Sequence, residues 1–273
     1  AIDKYRVSHL FLPPTVVYMM LALPDVKGRD YSSLQHFLVG AAPTSVEKLK
    51  EAVSVFGPVM TEAFGQSEAP AAITAKAPWD YIDKEGNINE RRLASIGRPC
   101  VNNRVAILDE DGNELKRGHA GEICIQGDLV SPGYYKNPEA TAEVRQFGWH
   151  HTGDVGVMDD EGFITIVDRK KDMIITGGFN VFPNEVEQVL NSHPAVQDCA
   201  VIGVPDEKWG EAVNAIVQLK AAHECSEEIL IALCKRELGG VKAPKSIEFI
   251  DDLPRSSAGK VLKTELRKKR AVN

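Results

Sequence analysis

The chain has 273 residues, 39 acidic against 32 basic side chains, and 43% apolar residues. That balance is ordinary for a globular chain, and it excludes wholesale disorder, collagen and low-complexity scaffolds. At roughly 150 residues per domain the length predicts about two domains, and the net charge of −7 argues against nucleic-acid binding, which needs a basic face.

Cys100, Cys124, Cys199, Cys225 and Cys234 form no CxxC pair and are odd in number. They predict reduced, mostly buried thiols in a cytoplasmic protein rather than a disulfide framework or a zinc site. The apolar stretch from Leu10 to Leu23 is interrupted by Pro13 and Pro14 and is too short to span a bilayer. The charged start, AIDKYRVSHL, does not read as a signal peptide.

In chain order, Pro14 can open a helix through Val16, Val17 and Met20. HFLVG, from His36 to Gly40, reads as a buried strand. Thr44 with Glu47 offers an N-cap to a helix carrying Leu49, Ala52, Val53 and Phe56, which Gly57-Pro58 stops. PVMTEAFG is the next strand, so residues 1–94 have an α/β rhythm with loops at strand ends, where ligands usually sit. Between 95 and 168, NRVAILD, GEICIQG and GFITIVD are short alternating strands separated by DEDGN, SPG and DDEG turns. None of these turns has the order of an EF-hand loop, and a small antiparallel sheet or barrel is expected. From 169 to 273 the pattern is that of a small α+β domain. Asn184 and Glu187 form a capping-box signature, AVQDCAVIGV and EAVNAIVQL read as strands, and Ser226 to Leu238 reads as a helix. SIEFIDDLP is another strand, and VLKTELRKKR a closing helix whose basic end reads as a solvated face.

Four segments are polar and glycine-rich enough to carry chemistry. AFGQSEAP contains Phe64, Gly65, Gln66, Ser67 and Glu68 just past a strand; an aromatic can stack on a base, and a hydroxyl with a carboxylate can serve a phosphate and its Mg²⁺. An ordinary strand-to-loop turn is the competing reading. In HHTGD the two histidines point to opposite faces of a strand and have no third ligand nearby in the chain, so metal is not expected there. Asp154 is better placed to accept hydrogen bonds from a pair of ligand hydroxyls. In DRKKDMIITGGFN, Gly177 and Gly178 either make a tight turn or let a narrow ligand run along bare backbone. PRSSAGKVLKTELR contains a Gly-Lys pair, but Pro254 and Val261 stand where a Walker loop needs glycine and Ser/Thr. Lys260 on its small-residue loop is left as either a surface lysine or one that swings into a site.

Together with GAAPTS (Gly40 to Ser45), GEICIQGDLVSPGYYKNPEAT and VPDEKWGE, these segments closely resemble the adenylate-forming acyl-CoA synthetases, the family that includes luciferases and peptide-synthetase adenylation domains. The resemblance runs over essentially the whole chain, and the DRKKDMIITGGFNVFPNEVE wording is most similar to fatty-acyl or aryl-acid ligases. It implies ATP/AMP, Mg²⁺ and coenzyme A as ligands and a small carboxylic acid as substrate. By the same resemblance Gly40, Ala41, Ala42, Pro43 and Phe64 bracket the adenine, Gly65 and Gln66 belong to the ATP/AMP site, and Ser67 keeps the family's hydroxyl. Glu68 holds Mg²⁺, Asp154 and Arg169 grip the ribose, Lys171 is a hinge, and Lys260 contacts the acyl carboxylate and α-phosphate. Gly177, Gly178 and Phe179 line a pantetheine tunnel.

The family's Ser/Thr/Gly phosphate loop and its aromatic acyl-pocket motif are not among these residues. The chain is therefore expected to be a truncated, carboxy-terminal fragment lacking the amino-terminal half, with little activity alone. The expected fold class is α/β, a partial large domain over 1–168 followed by a small α+β carboxy-terminal domain over 169–273. An adenylation domain serving a carrier protein, and a non-catalytic nucleotide-binding module, are the alternatives. No integral membrane segment is expected, and the oligomeric state is left open, a homo-oligomer included.

Overall fold

A computed structural model of the chain describes residues 1–40, 44–221, 223–256 and 261–270. They fold as two units, Ala1–Ile166 and Val167–Asn273.

The first unit contains two sheets. In the first, β1 (His9–Leu12), β2 (His36–Val39) and β3 (Met60–Gln66) run parallel, and β4 (Ala69–Lys76) and β5 (Arg98–Pro99) follow antiparallel, in that spatial order. After a short α1 (Ile2–Tyr5), the crossovers between parallel strands are α2 (Pro14–Leu21) and α3 (Val46–Phe56). Pro14 opens α2 at the first turn, where its missing N–H costs nothing. Leu49, Ala52, Val53 and Phe56 recur at helical spacing and pack with Val17, Phe37, Val39 and Met60. Gly57 ends α3 with φ of 88°. The residue capping α3 is Ser45, one place later than the sequence predicts, and its side chain makes no cap hydrogen bond; its N–H donates to Tyr18 Oη instead.

A buried cation clamps this sheet. Lys76, fully buried at the end of β4, pairs with Glu62 of β3 at 2.6 Å and donates to the carbonyls of Arg92, Leu93 and Ser95. Those carbonyls lie at and just beyond the end of α4 (Glu90–Leu93), so one ammonium ties that helix end to two strands. Tyr81 Oη donates to the same carboxylate at 2.9 Å.

The second sheet is built from β6 (Arg104–Leu108), β7 (Ala120–Gln126), β8 (Arg145–Gln146), β9 (Trp149–Met158) and β10 (Ile164–Arg169), with α5 (Pro138–Glu143) before β8. Its order is β10-β9-β7-β6, with β8 paired to β9. The acidic turns are side-chain-closed loops: Asp109 Oδ1 accepts from the N–H groups of Asp111 and Asn113, and Asp159 Oδ1 from those of Glu161 and Phe163.

The second unit has a sheet ordered β12-β11-β14-β13, with β15 on β14. Its strands are β11 (Ile174–Thr176), β12 (Phe179–Val181), β13 (Val196–Asp206), β14 (Gly210–Leu219) and β15 (Ser246–Phe249). β13 and β14 are nearly continuous apolar runs because both faces are covered. Val201, Val213, Ala215 and Val217 pack under α6 (Pro183–Asn191) and α7 (Glu227–Lys242). Ala200, Ile202 and Ile216 face the other way and pack with Leu266 of α8 (Lys263–Arg270). The predicted Asn184–Glu187 capping box does not form. Phe182 occupies the cap position, the Asn184 N–H donates to Asp168, and Glu187 accepts from Val201 N and pairs with Lys263. Among the described residues no helix is long and apolar enough to cross a membrane.

The Lys76–Glu62 pair makes a test of the first sheet. Removing one partner of a buried pair strands the other charge, so Lys76→Met should cost about 3–5 kcal/mol in urea unfolding. Adding Glu62→Gln should recover much of that loss. Simple additivity of the two substitutions would show that the pair does not act as a unit.

Candidate functional site

In open α/β sheets ligands gather beyond the carboxyl ends of parallel strands. Gly40 directly follows β2 and lies beside Ala63 of β3 and the ring of Phe11. Gln66 ends β3, Ser67 is exposed in the tight β3–β4 turn, and Glu68 is half-buried. Gly65 sits where β3 and β4 shift register; a Cβ there would lie 2.8 Å from the backbone nitrogen of Ala71, so only glycine permits the approach. Phe64 is partly buried against Ala69, Ile73 and Ile125. Ala41, Ala42 and Pro43 lie outside the described residues, as does Lys260.

Two further elements converge on this strand end. The loop after β7 arrives through Ser131, whose N–H donates to the Glu68 carbonyl at 2.7 Å, and through Tyr134, whose hydroxyl donates to Glu68 Oε1 at 2.6 Å. That hydrogen bond to a carboxylate is the main cause that raises the Tyr134 phenol above its ordinary pKa. β9 arrives through His150, whose Nε2 lies 2.7 Å from Gln66 Nε2. Burial pulls the His150 imidazole below its ordinary pKa, with the charge of Glu68 working in the opposite direction. The neutral ring accepts the Gln66 amide hydrogen. Spacing along the chain carried no signal for His150 or Tyr134, because their partners lie 84 and 66 residues away.

β9 carries Asp154 through an irregularity in its pairing. Glu122 faces Val155 and Cys124 faces His151, so Thr152, Gly153 and Asp154 together oppose Ile123 alone. Thr152 Oγ1 donates to the Ile123 carbonyl, and the Gly153 N–H donates to Glu122 Oε1. Gly153 adopts φ of 72°, the left-handed region that glycine reaches without strain. Asp154 is consequently buried at 3% exposure. The adjacent histidines do face apart. The absence of nearby ligands around His151 holds only along the chain: Glu122 Oε2 lies 3.0 Å and Cys124 Sγ 3.4 Å from its Nδ1.

In the second unit, Arg169 ends β10 and is exposed, and Lys171 lies exposed in a single 3₁₀ turn, Lys170–Asp172. Asp172 beside it is held by Arg267 at 2.7 Å. Gly177 and Gly178 form the two-residue turn between β11 and β12, with φ of 57° and 80°, as a tight hairpin requires. The Trp209 ring lies against Gly177, and Phe179 is 60% exposed.

Residues 1–135 match the AMP-binding enzyme family, and residues 185–260 match the AMP-binding enzyme C-terminal domain. The two matches together take in most of the chain. The chain belongs to the AMP-binding enzymes. It is 44% identical to the medium/long-chain-fatty-acid–CoA ligase FadD8 of Mycobacterium tuberculosis, over 97% of this chain and 47% of that protein. It is 42% identical to a long-chain-fatty-acid–CoA ligase of Escherichia coli O157:H7, over 97% of this chain and 45% of that one. The amide bond synthetase McbA of Marinactinospora thermotolerans superposes with a TM-score of 0.88 at 36% identity, over 98% of this chain and 54% of McbA. The chain spans about half the length of the curated relatives it matches.

These matches correct the expected truncated carboxy-terminal fragment with a partial large domain. Both the AMP-binding domain and the C-terminal domain of the family are matched, and the architecture is the family's large-plus-small one. The expectation rested on a phosphate loop and an aromatic acyl-pocket motif that were not found, and a motif's absence carries no information on how the residues present pack. Those of the first unit bury their own cores around both sheets.

Gly65 allows a test of this strand end. Gly65→Ala drives a methyl into the backbone of Ala71 and should lower stability by about 1–3 kcal/mol in urea unfolding. An unchanged midpoint would show that β3 and β4 part freely there.

Proposed function

We propose that the protein activates a carboxylic acid with ATP and passes the acyl group to coenzyme A, as an ATP-dependent, AMP-forming acid–thiol ligase. The observation that carries this reading is the convergence of Gly40, Gln66, Glu68, Tyr134 and His150 at the carboxyl ends of parallel strands, in a chain whose relatives bear the names of fatty-acid–CoA ligases. A fatty acid or an aryl acid is the proposed substrate, and the cytoplasm the proposed compartment.

In the first half-reaction the acid's carboxylate oxygen attacks the α-phosphorus of ATP, and pyrophosphate leaves with the electrons of the broken bond. In the second, the thiol of coenzyme A attacks the acyl carbon, loses its proton and displaces AMP. The physical difficulty of the first step is that an anion must approach an anion. The Glu68 carboxylate, steadied by Tyr134, is a hard oxygen donor of the kind that shares Mg²⁺ with substrate phosphates. When bound, Mg²⁺ supplies neutralisation of phosphate charge. Ser67 offers a hydroxyl to the same phosphates. Gly40 to Pro43, with Phe64, are proposed to bracket the adenine, and Gly65 and Gln66 to line the ATP/AMP site. Asp154 and Arg169 are proposed for the ribose hydroxyls, Lys171 as a hinge, and Gly177, Gly178 and Phe179 as the pantetheine-lining loop. Lys260 is the proposed ammonium for the acyl carboxylate and α-phosphate.

The reaction is tested by acid-dependent exchange of labelled pyrophosphate into ATP, followed by acyl-CoA and AMP in equal amounts. Exchange that ignores the acid, or release of ADP, overturns the reading. Lys260→Ala removes one preorganised charge from the first transition state and should slow adenylation by ~10²–10³-fold. The same variant should still convert a supplied acyl-adenylate to the thioester. Exchange at the wild-type rate would remove Lys260 from the reaction.

A further inference from the structure

Away from the strand end assigned above, β7 and β9 bring a carboxylate, a thiol and an imidazole to one place. Glu122 and Cys124 lie two residues apart on β7 and so share a face, and the register sets Cys124 opposite His151. His151 Nδ1 is 3.0 Å from Glu122 Oε2 and 3.4 Å from Cys124 Sγ, and the three ligand atoms all lie within 4.8 Å of one another. Cys124 is fully buried, and the His151 and Glu122 side chains are 11% and 8% exposed.

The surrounding hydrogen bonds aim these atoms. Gly153 N–H donates to Glu122 Oε1, and the other carboxylate oxygen, Oε2, faces the ring. His151 Nε2 lies 3.3 Å from the carbonyl oxygen of Gln146. A carbonyl only accepts, so Nε2 carries a hydrogen there, and Nδ1 is the ring nitrogen that can bind a metal. A backbone carbonyl behind the imidazole is the arrangement that fixes the tautomer of a metal-bound histidine. Nδ1, Oε2 and the Cys124 sulfur thus converge on one point, and a cation bound there takes the place of the protons now shared among them. Bonds of ~2.3 Å to sulfur and ~2.0–2.2 Å to nitrogen and oxygen around a tetrahedral ion put neighbouring ligand atoms roughly 3.3–3.6 Å apart. The observed spacings at Nδ1 open to those values by a few tenths of an ångström.

We propose that Glu122, Cys124 and His151 form a binding site for one zinc-class divalent cation, with a fourth position open to water. The thiolate disfavours Mg²⁺ and Ca²⁺, which take oxygen ligands, while sulfur, nitrogen and carboxylate together suit Zn²⁺ and Co²⁺. On binding, the Cys124 S–H bond breaks, its proton goes to solvent, and the sulfur electron pair forms the bond to the metal. The bound ion ties β7 to β9 beside the bulge that carries Asp154. This inference is independent of the ligase reading, since its ligands are separate from the residues proposed for ATP, Mg²⁺ and coenzyme A.

Chelator-treated full chain is titrated with Co²⁺ alone and followed by absorption. The expected result is one equivalent of Co²⁺ giving a near-ultraviolet thiolate-to-cobalt band with visible bands of a tetrahedral ion, both removed by added Zn²⁺. Cys124→Ser should abolish the near-ultraviolet band, and His151→Gln should weaken binding at least about tenfold. The wild-type titration decides the matter even if the buried cysteine variant does not fold. Absence of the thiolate band in the wild type overturns the proposal and leaves the group as a hydrogen-bonded cluster of His151, Glu122 and Cys124. A band that persists unchanged in folded Cys124→Ser and His151→Gln variants also overturns it, by placing the metal on another thiol.

Discussion

The first unit's chemistry depends on how β9 pairs with β7. Side chains alternate along a strand, so His150 and His151 must leave on opposite faces. One meets Gln66 at the end of β3, and the other meets Glu122 and Cys124 of β7. The bulge that follows places three residues of β9 against one of β7, and it turns Asp154 inward. A slip of one residue in this ladder would exchange the two histidines and dismantle both groups together.

Rigid parts surround that ladder. The buried Lys76 ammonium joins β3, β4 and the end of α4 through one ion pair and three carbonyls. An ammonium has only three hydrogens and a narrow range of donor directions, so these four acceptors must stay close together. The segment holding Gln66, Ser67 and Glu68 thus leaves a sheet whose far end is fixed. Glu68 is held again by Ser131 and Tyr134 from the loop after β7. A residue held at its backbone carbonyl by one partner and at its carboxylate by another has fewer conformations to lose when a cation or phosphate arrives.

The second unit uses polar groups in the same economical way. Asp168 accepts from the N–H groups of Arg169 and Asn184, linking the end of β10 to the first turn of α6. Burial raises its carboxyl above the ordinary range, and the backbone donors pull it down. Glu187, which the chain pattern suggested for a cap, joins Val201 of β13 to Lys263 of α8. The helix covering one face of the sheet and the helix covering the other therefore share one carboxylate.

Local patterns along the chain determined most of the elements. Alternating apolar residues marked β6, β7 and β10, longer apolar runs marked β13 and β14, helical patterns marked α2, α3 and α7, and glycine-acidic runs marked the turns, because each of these signals depends on neighbours within a few residues. Tertiary structure decided the partners. The caps at Ser45 and Phe182, the two sides of the His150–His151 pair, the Tyr134–Glu68 contact and the Lys76 clamp all join residues far apart in sequence. Periodicity tells which face of an element is buried, but not which strand lies opposite it. That choice is made by register and by the packing of both sheet faces, and only the folded chain contains it.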